Sequence, residues 1–414
     1  MKWNLDLGDD KKQTLPLAGR KSVSILLGAG FSVPSGYPTG GKVNEALLNF
    51  NQYNIAFSAA GELMYSKDGQ RVTLPYDNQF QRFFIFCIRL ITQYSKDYGS
   101  FDYEAFYDFI KSKAVYNQQY RELCEDLLDE FNDYRSFVNG IEPIYNQMVA
   151  FLIHDKYNET WNDERPSHLG YVEDYDGFLK ALIHWSKDSI VNVHTLNHDL
   201  LFESFRKTDY MTGLISDGFD EYGSRYYGVL QKENASFNVR LERYKGRYNT
   251  PIRLYKLHGS LDYILYKRTD KNGFLIPDCY IKIKKYINPG YLMRSSGNKI
   301  GYERYPFAYH SDFLTGTTSK INRYNEPLLY KKLFRKFRNN LRSAQNLIMI
   351  GYGGRDTKIN EIIAQNFDYQ NKKAYVIDPY PSDDLKAFAN KIRAKIIEKS
   401  IAELSEEELI SLLL

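Results

Sequence analysis

Cysteine is scarce in this chain of 414 residues: Cys87, Cys124 and Cys279 lie far apart, and no C-x-x-C pair occurs. Neither a disulfide framework nor a four-cysteine zinc ribbon is encoded. His154, His168, His184, His194 and His310 lack the spacing of metal ligands, so no metal site is expected. Long apolar runs are missing as well. None approaches the roughly 18 residues of a membrane-spanning helix, and the N-terminal MKWNLDLGDDKK has no apolar stretch of signal-peptide type. A soluble protein without membrane contact is expected, with the cytosol as its home. Excess charge of one sign is the third absence. The 55 basic and 51 acidic residues leave a net charge of +4, too even a balance to make nucleic acid the main partner. No internal repeat or low-complexity tract is visible. What is present is a 43% hydrophobic content, enough for a sizeable core in one large domain or two ordinary ones. The 36 tyrosines fit a codon bias better than a sticky interface.

The informative segments are short and polar or glycine-bearing, and each follows an apolar run. KSVSILL (21–27) leads into GAGFS (28–32), SIVNVH (189–194) into TLNHD (195–199), and PIRLYK (251–256) into LHGS (257–260). NLIMI (346–350) leads into GYGGRD (351–356), and KAYVI (373–377) into DPYPSD. Short apolar runs closed by glycine or polar residues read as buried parallel strands, and helical patterns follow several of them. After the first loop, Val43, Ala46, Leu47 and Phe50 recur at helical spacing. The expected fold class is α/β, with a doubly wound parallel sheet. Residues 1–20 read as an N-terminal arm. Residues 51–185 read as a helical insertion, with FQRFFIFCIRLITQY and YEAFYDFIKSKAVY as its clearest helices and a hairpin near 60–73. Residues 260–325, rich in Tyr, Gly and Pro, read as irregular cover over the site, as loops or small strands. In the stretch from 326, Leu329, Leu333, Phe337 and Leu341 share a face. Lys331, Lys332, Arg335, Lys336 and Arg338 point elsewhere, as a solvated surface rather than a nucleic-acid patch.

Each segment has chemistry to offer. Gly28 and Gly30 permit a tight turn in which backbone amides of the following residues, Ala29 to Ser32, face a phosphate, with Ser32 and Thr39 as hydroxyl donors. This is half a dinucleotide fingerprint, because Val33 stands where a third glycine belongs and no acidic residue sits at the usual offset. In TLNHD, Asn197 both donates and accepts, which suits ribose hydroxyls, while Asp199 reads equally as a helix cap. His198 is read as peripheral. His258, with Gly259 opening space beside it, suits proton transfer from a ribose hydroxyl or water. Asp356 reads as the cap of the helix after GYGGRD, and Asp378 as a carboxylate for a ribose diol.

The ordered set GAGFS, TLNHD, LHGS and GYGGRD resembles the sirtuin fold family, and specifically its prokaryotic sirtuin-like NADase branch of anti-phage defence, over about 20–50 and 185–380. The resemblance implies a Rossmann-like NAD-binding domain made of 21–50 and 186–414. It implies pyrophosphate binding by the 28–32 loop, ribose contact by Asn197 and a base at His258. Thr195, Asp199, Gly259, Gly351, Tyr352, Asp356 and Asp378 complete the expected NAD contacts. The departures matter too: GYPTGGK replaces the G-x-P-D-F-R segment of protein deacetylases, with Thr39 in place of the aspartate, and the zinc ribbon is absent. Deacylation is therefore disfavoured. NAD hydrolysis to nicotinamide and ADP-ribose is expected, in a homo-oligomer controlled by a second chain, with a HerA-type hexameric ATPase as the leading partner. The alternatives are a silent sensor of NAD or ADP-ribose, or a nucleic-acid-acting subunit.

Overall fold

The computed structural model describes residues 17, 19–59, 61–65, 72, 78–123, 134–153, 172–208, 211–232, 235–283, 287–295, 302–304 and 311–413. The expected arm at 1–20 lies almost wholly outside these residues.

The centre is a sheet of seven parallel strands: β1 (Lys21–Leu27), β2 (Ser189–Thr195), β3 (Ile215–Ser216), β4 (Ile252–Lys256), β5 (Ala344–Ile350), β6 (Lys373–Ile377) and β7 (Lys395–Ile397). Their spatial order is β7-β6-β5-β1-β2-β4-β3. Five of these follow the apolar runs of the sequence. The two edge strands do not, because two or three residues with one neighbour bury too little to leave an apolar run. Ile25 stands opposite Ile348 and Val193 in register, which keeps the three middle strands level at their carboxyl ends.

Both faces are covered, and alternate residues of β1 divide between them. Leu26, Leu347, Met349 and Val376 pack against helices that run from Tyr330 to Ser343, Thr357 to Asn366 and Asp383 to Lys391. Val23, Ile25, Leu27 and Val193 pack on the other side against Phe178 and Leu182 of the helix Asp176–Asp188, and against Leu409 and Leu412 near the C-terminus. The architecture is α/β with a doubly wound parallel sheet. Among the described residues, no helix is long and apolar enough to cross a membrane.

Between β1 and β2, ahead of the helix Asp176–Asp188, four further helices stand out among the described residues: α1 (Gly40–Leu48), α2 (Gln79–Tyr98), α3 (Tyr103–Lys111) and α4 (Tyr134–Ile153). Their apolar faces form one aromatic-rich core holding Phe83, Phe86, Leu90, Phe106, Ile110, Ile144 and Met148. Caps fix the ends of the long helix: the Asn78 side chain accepts from the Gln81 amide, and Gly99 closes the helix at φ 70°. Ile55–Phe57 pairs with Leu63–Tyr65 as a hairpin, so pairing begins before the expected 60–73 segment, part of which lies outside the described residues.

The stretch 260–325, expected as loops or small strands, contributes strands to two small antiparallel sheets. Tyr263–Thr269 and Leu275–Lys282 form an antiparallel pair in a four-stranded sheet with Arg243–Arg247 and Gly218–Asp220. A second four-stranded sheet joins Tyr226–Lys232, Ala235–Arg240, Ile287–Ser295 and Tyr302–Arg304. The sequence does carry a signal for the first hairpin. Asn272-Gly273, between two β-rich runs, marks a turn, and Gly273 adopts φ +84° there while Asp270 accepts from the amides of Asn272 and Phe274.

Candidate active site

Strand order reverses at β1, whose neighbours β5 and β2 lead the chain away in opposite directions. A crevice opens outside the carboxyl ends of such strands. Here a cavity of about 500 Å³ occupies that place, lined by residues from the loops after β1, β2, β4 and β5. Gly28, Ala29, Asn197, Asp199, His258, Tyr352 and Asp356, all singled out from sequence, face it. Gly30, Ser32, Thr195, Gly259, Gly351 and Asp378 do not line it.

The wall after β1 and β5 is made by two backbones in contact. A Cβ on Gly28 would lie 2.5 Å from Gly351 O, and one on Gly351 would lie 2.1 Å from Phe31 N, with Gly351 already at φ +59°. The amides of Gly28 and Gly30 donate to Ile350 O and Gly351 O, and that of Phe31 to Gly28 O. The loop expected at the pyrophosphate is braced here by backbone bonds. Three of its amides are engaged within the protein, and the glycines serve the loop-to-loop approach. Gly28 and Ala29, where a 3-10 helix spanning Ala29–Ser35 begins, carry the loop's exposure to the cavity.

The TLNHD segment is fixed from both ends. Asn197 Nδ2 donates to Gly28 O at 2.9 Å and to Ser32 Oγ at 3.0 Å, while Ser32 Oγ donates to Asp199 Oδ2 at 2.9 Å. Asp199 Oδ1 accepts from the Leu201 amide, and Thr195 Oγ1 from the Asn197 amide. Ser32 and Thr195 therefore brace Asn197 from behind. Beneath them, Lys256 is 1% exposed; its ammonium donates to the carbonyls of His198 and Asp199 and pairs with Glu203 at 3.2 Å. Thr39 caps α1 by accepting from the Lys42 amide.

His258 stands at the end of β4, 4% exposed, with its carbonyl accepting from the Leu314 amide. Its Nε2 lies 3.2 Å from the Tyr324 hydroxyl and 3.7 Å from Asp356 Oδ2. Burial, then the nearby Lys320 ammonium, holds the imidazole well below its ordinary range, so it is neutral near pH 7. Gly259, at φ +82°, lets the next turn press on Asp312 and Phe313.

Three contributors were not singled out in the sequence, and a fourth was set aside. His198, read as peripheral, lines the cavity beside His258, buried against Phe313. Glu104 on α3, Lys320 on the short helix Ser319–Arg323 and Tyr324 complete that side. The Lys320 ammonium lies 3.1 Å from Glu104 Oε2 and 3.0 Å from Asp356 Oδ2. Nothing local distinguishes such residues, since a lysine or glutamate on a short helix faces solvent by default.

No family model and no curated protein matches the sequence. Solved structures that resemble the chain include a Sir2 homolog in complex with NAD, at 11% identity and a TM-score of 0.39, covering 98% of this chain and 94% of that one. Another, of a Sir2 homologue mutant with 2′-O-acetyl ADP-ribose, has 13% identity and a TM-score of 0.37, covering 97% and 96%. The fold assignment rests on the sheet topology itself.

The remaining placements are plain. Asp356 caps the helix Thr357–Asn366 through Oδ1, which accepts from the Ile359 amide. Asp378 ends β6 but turns onto its own loop, where Oδ1 accepts from the Tyr380 amide. It stands apart from the cavity lining, which weakens its expected role at a ribose diol.

Proposed function

We propose that the cleft binds NAD and hydrolyses its nicotinamide–ribose bond. The observation that supports this reading is the meeting of Asn197 and a buried, neutral His258 on one cavity at the switch point of a parallel sheet. A volume of about 500 Å³ falls within the usual range of ligand pockets, about 300–1,000 Å³.

In this reading Gly28, Ala29 and Tyr352 bound the dinucleotide, and Asn197, which ties the loop after β2 to the loop after β1, positions the ribose. The bond between the ribose carbon and the nicotinamide nitrogen breaks with its electron pair going to nicotinamide. Positive charge develops on the ribose, and water forms the new carbon–oxygen bond. The proton released by water passes to His258 and then to solvent, so NAD and water give nicotinamide, ADP-ribose and one proton. Neutral imidazole is the form this step requires.

The sequence resemblance adds a setting: an anti-phage effector whose activity is held back until a second chain, of HerA-type ATPase class, engages it. Purified protein incubated with NAD, alone and with such an ATPase, is expected to release nicotinamide detectable by mass spectrometry. Persistence of NAD in every condition overturns the enzyme reading in favour of a sensor.

A further inference from the structure

The cleft has a side that the sheet does not build. Asp108, on the same face of α3 as Glu104, reaches the turn before the helix Ser319–Arg323. Its Oδ2 accepts from the amides and hydroxyls of Thr317 and Thr318 at 2.6–2.9 Å, and its Oδ1 accepts from the Ser319 amide at 2.9 Å. One turn earlier on α3, Glu104 meets Lys320. These contacts cross more than two hundred residues of sequence. They tie a helix of the insertion to a turn whose Thr317 and Lys320 both line the cavity.

We propose that α3 is a positioning element of the cleft: Asp108 and Glu104 hold the 317–320 turn so that the Lys320 ammonium stands against Asp356 and keeps the facing His258 imidazole neutral. Two opposite charges compete at His258. The Asp356 carboxylate, 3.7 Å from His258 Nε2, would by itself favour an imidazolium. Lys320 lies nearer to the same oxygen, at 3.0 Å, and offsets that pull. The other polar groups facing the ring are the Tyr324 hydroxyl and the neutral, buried His198. Lys256 on the same strand turns to Glu203. Among the described residues, Lys320 is the cation closest to the Asp356 oxygen that faces His258, and α3 fixes where it stands. Asp108 and Lys320 are accordingly positioning residues, acting through His258.

This inference rests on the reading of His258 as the proton acceptor, but its test reads His258 directly. Histidine ring resonances are followed by NMR against pH in the full chain, with His258 assigned by its loss in His258→Gln. In Lys320→Met the His258 midpoint is expected to rise by about one pH unit or more, since a neighbouring carboxylate is left uncompensated. Asp108→Ala should move it in the same direction by a smaller amount; if that chain does not fold, Asp108→Asn, which retains one acceptor oxygen, takes its place. The acidic limb of NAD turnover should follow these midpoints. An unmoved midpoint in Lys320→Met overturns the inference, and so does an unmoved midpoint in the folded Asp108 variant. A wild-type chain that consumes no NAD defeats the functional reading while leaving the NMR result to decide the positioning.

Discussion

The two sides of the cleft are built by different physics. The side after β1 and β5 is backbone against backbone, closed by Gly28, Gly30 and Gly351 and sewn by amide-to-carbonyl bonds. The side formed by α3 and the 317–324 turn is held by side chains: Asp108 grips the amides and hydroxyls of the turn, and Lys320 pairs with Glu104 and Asp356. A backbone wall has no slack: any Cβ forces the chain apart. A wall of buried ion pairs contributes little net stability, because its attraction is offset by desolvation, yet it sets the charge around His258. The first is suited to hold shape, the second to tune chemistry.

That contrast can be broken at several points. Gly351→Ala should be the most damaging change, because its Cβ meets Phe31 N and its φ of +59° is strained for alanine; a loss of about 4 kcal/mol is expected in urea unfolding. A loss below about 1 kcal/mol there would show that the backbone wall yields. Lys256→Met strands Glu203 and two loop carbonyls beneath TLNHD, at a cost of about 3 kcal/mol by the same measurement. Next comes pH. His194, buried between Tyr255 and Phe337 behind the backbone wall, is pushed down by burial to about 3. Below its ordinary value of about 6.5 the unfolded chain takes up a proton that the folded chain refuses, so stability falls as pH drops through that window. Between pH 7 and 4.5 this amounts to about 2 kcal/mol, and unfolding at the two pH values in wild type and His194→Gln isolates it. The smallest effect belongs to the polar wall. Glu104→Gln should cost about 1 kcal/mol or less in stability, and a loss as large as that of Gly351→Ala would erase the distinction.

What the sequence disclosed follows the same division. Strand-end loops were legible because a buried parallel strand leaves a continuous apolar run and its exit leaves glycine or a polar residue, as at Leu27-Gly28 and Ile350-Gly351. Asn197 and His258 were found by that route. Glycine function was legible only as freedom to turn; the approach of Gly28 to Gly351, across more than three hundred residues, is a fact of tertiary structure. Glu104 and Lys320 left no trace, since pairing between distant helices has no local period. The two small antiparallel sheets were legible only as loops or small strands over 260–325; their pairing and the strands before 260, such as Tyr226–Lys232, were not, because Tyr-rich strands of this kind alternate weakly. Asp378 shows the converse, a residue type and position that suit a ribose but whose own turn claims it.

The central claim is that this cleft binds NAD and that His258 acts on it. It is tested most directly by measuring NAD binding by calorimetry and nicotinamide release by mass spectrometry in parallel, on wild type and His258→Gln under the same activating conditions. The account predicts that His258→Gln binds NAD within about threefold of wild type, a difference under 1 kcal/mol, and releases no nicotinamide. Nicotinamide release at the wild-type rate from His258→Gln, or failure of the wild-type chain to bind NAD at all, would contradict it.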